Sequence, residues 1–387
     1  MKNMIQFTGK NGEFQIAHLV QQNEWNFPVA NEEGIKSSVT QNFGGDCKLD
    51  QNHFLLEPVS IENLHNNRST RNIWCTVDGK DHYSLTGASA QNEYERFLGK
   101  EDDIVLDAGF MWQEVKRIIK DVELEATVRI FAPLGYGAEV MQVKIVNKGK
   151  DARKISVTPA IPLYGRSADN LRDHRHVTSL LHRIRTVENG VLVTPTMSFD
   201  ERGHRPNEMT YSVCGYDQTG EAPEDFYPTV QDFIGEGGNF ERPKAVVKNL
   251  AGVPAGSAYA GCEAVGGLHF KERTLAPGET AGYTIMIGAV RKTEHAGETI
   301  LSMTAAYRKA AQTKAAYERM KTYWEQKVNV SYHSKDRRFD RYMQWVSFQP
   351  ILRRIYGCSF LPHHDYGKGG RGWRDLWQDC LALLLMN

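Results

Sequence analysis

The sequence has 387 residues, 41% apolar and 24% charged, which suits about two to three globular domains with ordinary cores. Lys plus Arg number 47 and Asp plus Glu also number 47, so the formal charge is zero, which argues against a nucleic-acid binder or a polybasic membrane partner. No apolar run reaches the roughly 18 residues of a membrane span, and Met1-Lys2-Asn3-Met4-Ile5-Gln6-Phe7 lacks a signal-peptide core, so no membrane association and a cytoplasmic location are expected.

Residues 1 to 295 read as β-rich, with short alternating runs punctuated by Gly, Asn and Pro. Glu123 to Phe131 alternates polar and apolar side chains, as a half-buried strand does. Glu139 to Asn147 follows, then a turn at Asn147-Lys148-Gly149-Lys150, then Lys154 to Pro159, a run that reads as one meander. Val191 to Pro195, Tyr211 to Cys214, Leu268 to Phe270 and Tyr283 to Gly288 continue the pattern, the last preceded by a turn at Pro277-Gly278-Glu279. Together these predict one large antiparallel sandwich.

The period changes near Thr293. No Pro or Gly interrupts Glu298 to Lys327, where Met303, Tyr307, Ala310, Tyr317, Met320 and Trp324 form one apolar stripe, predicting a single long helix. A short extended piece over 328–334 precedes a second helix over 336–356, which Pro350 should kink or interrupt. A glycine-rich loop then leads to a terminal helix carrying Leu381, Leu383, Leu384, Leu385 and Met386, apolar side chains expected to lack partners. The sequence stops there without a cap, as if cut where a second domain begins.

The six cysteines match no zinc or disulfide framework and read as reduced and mostly buried. Gly367, Gly369 and Gly372 have G-x-G-x-x-G spacing, but no hydrophobic strand precedes them, so a dinucleotide loop is not expected. His363-His364-Asp365 lacks a third suitably spaced ligand, and no metal is expected. Arg172-Asp173-His174-Arg175-His176 and Ser198 to His204 read as solvated loop polarity.

The chemistry concentrates at Trp373-Arg374-Asp375-Leu376-Trp377-Gln378-Asp379. Aromatic faces beside Arg, Asp and Gln suit a sugar ring, with a platform for C–H groups and directed partners for hydroxyls. Arg374 and Gln378 are four apart, as are Asp375 and Asp379, so each pair shares a helix face. The same cluster would equally serve as a capped, salt-bridged helix start.

Gly370 to Asp379 resembles the G-[FYW]-R-D-x-x-Q-D region of the inverting β-glycoside phosphorylases of glycoside hydrolase family 94. His176 to Arg183, followed by Thr196 to His204, is most similar to the 1,2-β-oligoglucan branch of that family, beside the cellobiose type. The resemblance implies a mainly β fold with a helical C-terminal part: an antiparallel super-sandwich over residues 1–295, a helical linker over 296–334 and the start of an (α/α)6 barrel over 335–387. It implies that Arg374, Asp375, Gln378 and Asp379, with Arg371 and Trp373, bind substrate, Trp377 standing beside them. It places the general acid downstream of Asn387, so that no catalytic residue falls in this chain and the chain alone is inactive. The implied substrates are β-glucan oligosaccharides and inorganic phosphate, with no cofactor and a homodimeric parent. Alternatives are an (α/α)6 hydrolase, a non-catalytic carbohydrate-binding sandwich, or a mutarotase-like epimerase using His174, His176 or His182.

Overall fold

The computed structural model describes residues 5–17, 25–60, 66–88, 92, 94–95, 98–99, 103–172, 179–200, 203–357 and 372–386. Its β part consists of an 11-stranded sheet, a 6-stranded sheet, a 4-stranded sheet and a two-stranded hairpin, all paired antiparallel. The large sheet is built around the hairpins that join Trp112–Ile119, Leu124–Phe131 and Ala138–Asn147. Their register runs from Ile119 opposite Leu124 to Trp112 opposite Phe131, and from Leu124 opposite Asn147 to Phe131 opposite Val140. In Leu124–Phe131 the alternating side chains are buried and half-exposed in turn, as period-2 patterning requires.

The meander does not continue as the sequence suggested. Arg153–Leu163 crosses to the 6-stranded sheet, where it pairs with Asn72–Val77 and Ala264–His269. The neighbour of Ala138–Asn147 in the large sheet is the distant Thr280–Arg291. Asn147 anchors this crossing: its Nδ2 donates to the Asp151 and Leu275 carbonyls, and its Oδ1 accepts from the Gly149 amide. The Pro277-Gly278 turn also changes sheets, since Arg273–Leu275 pairs with Arg153–Ile155.

One core fills the space between the sheets, with Val128, Ile130, Val143, Ile145, Val157, Val213, Leu268 and Ile285 among its members. Two short helices, α1 (Val230–Ile234) and α2 (Lys244–Val247), pack with Trp74 and Tyr227 on the other side of the smaller sheet. The large sheet is also covered on its outer face. Trp112, Phe131, Val140, Leu192, Cys214 and Met286 pack there against the helices that follow the sandwich.

Those helices are α3 (Ala296–Ala305), α4 (Ala310–Lys327), α5 (Arg337–Tyr356) and α6 (Trp373–Met386). The long helix expected over 298–327 is therefore two. Tyr307 is buried against Tyr136, and Arg308 Nε donates to the Gly220 carbonyl, which draws the chain out of helical register. Gln312 then caps α4 by accepting from the Lys309 amide, and Thr313 Oγ1 donates to the Tyr307 carbonyl. Pro350 neither ends nor divides α5. It deletes one bond to the Val346 carbonyl, and burial of Phe348, Ile351, Leu352 and Ile355 around it holds the helix together. Asp336 starts α5 by accepting from the amides of Arg338 and Phe339.

The helices are fastened to the sandwich by aromatic and ionic contacts. Trp345 packs among Phe14, Phe27, Phe110 and Phe348, and its Nε1 donates to the Gly12 carbonyl at 2.7 Å. Gly12 is at φ +86°, and an added Cβ would lie 3.2 Å from that Nε1 atom. Arg354 grips Glu32 with both terminal nitrogens, and Tyr356 donates to the Ser37 carbonyl at 2.6 Å. Arg354 holds the Glu32 carboxyl below its usual range, chiefly by this hydrogen bonding.

On α6 the expectation of unpartnered apolar groups holds for some side chains and not for others. Trp373, Trp377, Leu381 and Leu384 form an outward stripe, with Leu384 and also Leu385 76% exposed, whereas Met386 is buried and Leu383 half-buried. Such a stripe is expected to bind a hydrophobic dye and drive self-association of the purified chain. Changing Trp377, Leu381 and Leu384 together to Lys should abolish both effects without altering the far-UV circular dichroism. A monodisperse parent chain with no dye binding would contradict this.

Candidate functional site

A groove of about 950 Å³ runs between α5, α6 and the extended segment 328–334. From α6 it takes Asp375, Gln378 and Asp379, successive positions on one helical face. From α5 it takes Ser347, Gln349, Pro350 and Arg353, and from the extended segment Val330 and Tyr332. Carboxylates, amides and hydroxyls alternate with aliphatic walls at Val330, Val346, Ala382 and Met386. That mixture of directed hydrogen-bonding groups and apolar surface suits a neutral polyhydroxylated ligand.

The floor of the groove is an ion pair. Arg353 Nε donates to Asp379 Oδ2 at 2.7 Å, and a second guanidinium nitrogen donates to Oδ1. Asp379 is 3% exposed, so the fork meets a desolvated carboxylate, where charge-assisted bonds are strong. Hydrogen bonding to Asp379 raises the Arg353 guanidinium above its ordinary value, and the charges of Asp379 and Asp375 add to it. Along the wall, the hydroxyls of Tyr332 and Ser347 are bonded at 2.6 Å.

Of the residues singled out in the sequence, the structure gathers Asp375, Gln378 and Asp379 on the groove. Arg374 lies on the exposed side of α6 and bonds its neighbour Asp375 at 3.2 and 3.3 Å. Trp373 is 83% exposed and is not among the groove-lining residues; the same is true of Trp377 at 68%. Arg371, the glycine-rich loop before it and His363-His364-Asp365 lie outside the described residues, as do His174 and His176. His182 does not face a cleft: it is buried within the sandwich. His204 packs its ring on Phe199 across the exposed hairpin of Met197–Asp200 and Gly203–Pro206.

Arg353, Gln349 and Tyr332 were not found by sequence reasoning. They lie in a helix and an extended piece without a motif, and only the fold brings them opposite α6. Among the described residues no group of three or more His, Cys, Asp or Glu is close enough to hold a metal ion, and no helix is long and apolar enough to cross a membrane. Cys47, Cys75 and Cys214 are buried free thiols, and burial pushes Cys75 and Cys214 up to about 12, which makes them unreactive.

Comparison with known proteins gives four findings. The chain is 25% identical over 265 residues to N,N'-diacetylchitobiose phosphorylase of Vibrio furnissii, an alignment that takes in 67% of this chain and 30% of that enzyme. Among solved structures it is similar to galactose 1-epimerase from Lactobacillus acidophilus (TM-score 0.38, 8% identity, 73% of this chain and 99% of that one). It is also similar to a protein assigned as a kojibiose phosphorylase from the human microbiome (TM-score 0.36, 7% identity, 90% of this chain and 39% of that one). Identities this low carry no chemistry across. A family model described as the glycosyl hydrolase 94 supersandwich domain matches residues 70–309, more than half of the sequence, and the chain accordingly belongs to glycosyl hydrolase family 94.

Proposed function

We propose that this chain supplies the supersandwich and first barrel helices of an inverting phosphorylase acting on β-linked glucosides or β-glucan oligosaccharides. The observation that carries the reading is the family match over residues 70–309, with the polar groove on α6 as its structural complement. In this reading residues 1–295 are the sandwich, 296–334 the linker, and α5 with α6 opens an (α/α)6 barrel. Asp375, Gln378 and Asp379 accept or donate hydrogen bonds at the hydroxyls of the sugar on the non-reducing side, and the family resemblance adds Arg374, Arg371 and Trp373 to the proposed substrate-binding residues.

The reaction is direct displacement. Inorganic phosphate attacks the anomeric carbon from the face opposite the leaving sugar, while one carboxylic acid protonates the glycosidic oxygen. The C–O bond breaks as the phosphate C–O bond forms, and the products are α-glucose 1-phosphate and a shortened saccharide. A single protein carboxyl suffices, because phosphate replaces the base-activated water of an inverting hydrolase. Neither metal nor organic cofactor enters the scheme. The acid is expected outside these 387 residues, since the matched stretch corresponds to 30% of the Vibrio furnissii enzyme. A homodimer in the cytoplasm belongs to the same proposal.

A second reading follows from that relative's name: the glycosyl unit is N-acetylglucosamine rather than glucose. Both are tested by phosphate release from α-glucose 1-phosphate or α-N-acetylglucosamine 1-phosphate, with glucose, cellobiose, sophorose and N-acetylglucosamine as acceptors. The assay is run on this chain and on a version extended through the downstream reading frame. Turnover in the extended protein alone is expected, and the donor and acceptor used identify the sugar and linkage. Turnover by the 387-residue chain would place the acid within it, and silence in both would overturn the phosphorylase reading.

A further inference from the structure

We propose that Arg353 is the positioning residue of this groove: its guanidinium orients the Asp379 carboxylate and lets Asp375 and Asp379 stand together as hydroxyl acceptors. The inference rests on the groove being a sugar site. It adds a residue from a different helix that no motif on α6 points to.

Three observations carry it. First, Asp375 and Asp379 are one turn apart on α6 and both line the groove, so two like charges share one small volume. A pair at this spacing is unfavourable unless a cation offsets it. Arg353 is that cation, in two-pronged contact with Asp379 and acting through space with Asp375. Second, the fork sets geometry as well as charge. Two parallel bonds from a planar guanidinium define the carboxylate plane. Third, the pair joins two helices at a groove floor. Asp379 is buried while the Arg353 side chain is about a third exposed, and a half-exposed pair of this kind contributes little net stability, so orientation is the better account of it. Among the described residues the charged or titratable groups lining the groove are Tyr332, Arg353, Asp375 and Asp379, and Arg374 bonds Asp375 from outside it.

The test measures cellobiose binding to the purified chain by saturation-transfer NMR titration, for the parent, Arg353→Met, Arg353→Lys, Asp379→Asn and the double variant Arg353→Met/Asp379→Asn. Thermal melts establish which variants are folded. Arg353→Met is expected to weaken binding by about tenfold, the effect of losing one charge-assisted contact. Arg353→Lys should recover part of it, as a point charge without the planar fork. The double variant should bind no more weakly than either single variant, because the two groups act as one unit. Parent binding with Arg353→Met unchanged would overturn the positioning role and leave the sugar reading intact. Absence of cellobiose binding in the parent itself would overturn the sugar reading and the inference with it. If Arg353→Met does not fold, Arg353→Lys decides, since it keeps the charge but not the planar fork: parental affinity in it refutes the positioning role, and a partial loss supports it.

Discussion

Replacing Arg71 by methionine is expected to cost this protein about 3–5 kcal/mol, a large part of the roughly 5–15 kcal/mol that holds a domain together. Arg71 and Glu139 are both fully buried and form a two-pronged pair. The remaining guanidinium hydrogens go to the carbonyls of Phe43, Gly45 and Asp46, and Glu139 also accepts from Ser37 Oγ at 2.7 Å. One residue thus ties the loop of the 4-stranded sheet to the large sheet, next to the first strand of the smaller one. Burial works against the Arg71 charge, and the nearby Glu139 carboxylate more than offsets it, so the guanidinium is held above its ordinary value. Removing the Arg71 side chain leaves Glu139 dry and short of partners and takes the guanidinium donor from the Gly45 and Asp46 carbonyls, while the Phe43 carbonyl keeps the backbone amide of residue 71. Urea denaturation should show the midpoint falling sharply, and Arg71→Met/Glu139→Leu should recover part of the loss because no orphan charge remains. A loss below about 1 kcal/mol for Arg71→Met would refute the assignment of this pair as the junction of the sheets.

The strands of the 123–147 region were legible because burial on one face writes a period of two into the sequence. Glu123 to Phe131 shows this, and the observed strand begins one residue later at Leu124. Sheet membership was not legible. Ala138–Asn147 and Thr280–Arg291 are more than a hundred residues apart, and nothing local in either run encodes their pairing. The crossing at Asn147 to Lys150 looks like any tight turn, since what distinguishes it is a bond from Asn147 to the distant Leu275 carbonyl. The break between α3 and α4 escaped for a related reason. Ala306 to Lys309 contains no Pro or Gly, and a tertiary contact from Arg308 to Gly220 opens the helix. The groove was half legible. Asp375, Gln378 and Asp379 were marked by their density on one helix start, whereas Arg353 became visible only when α5 was laid beside α6.

His182 is expected to make the sandwich acid-labile well above the pH at which carboxylates titrate. The ring is 1% exposed and lies near the backbone of Tyr164 and Cys262 without closing a hydrogen bond of normal geometry. Burial pushes its pKa down from 6.5 to about 3, and the charges of Arg166 and Arg183 push the same way. The unfolded chain therefore takes up a proton near pH 6.5 that the folded chain refuses until about pH 3. The neutral ring's contribution is fully present above pH 6.5 and declines by about 1.4 kcal/mol per pH unit below it, on the order of 4–5 kcal/mol in all. Other groups titrate in the same window, so the decisive quantity is a difference. Urea unfolding of the parent and of His182→Leu at pH 7, 6, 5 and 4 isolates this one site. The parent's stability relative to the variant should fall at each step below pH 6, with the leucine variant overtaking it if apolar packing at the site is kept. A difference that stays constant from pH 7 to pH 4 would mean that His182 takes up its proton alike in the folded and unfolded chain, and that the sandwich tolerates a charge at this position.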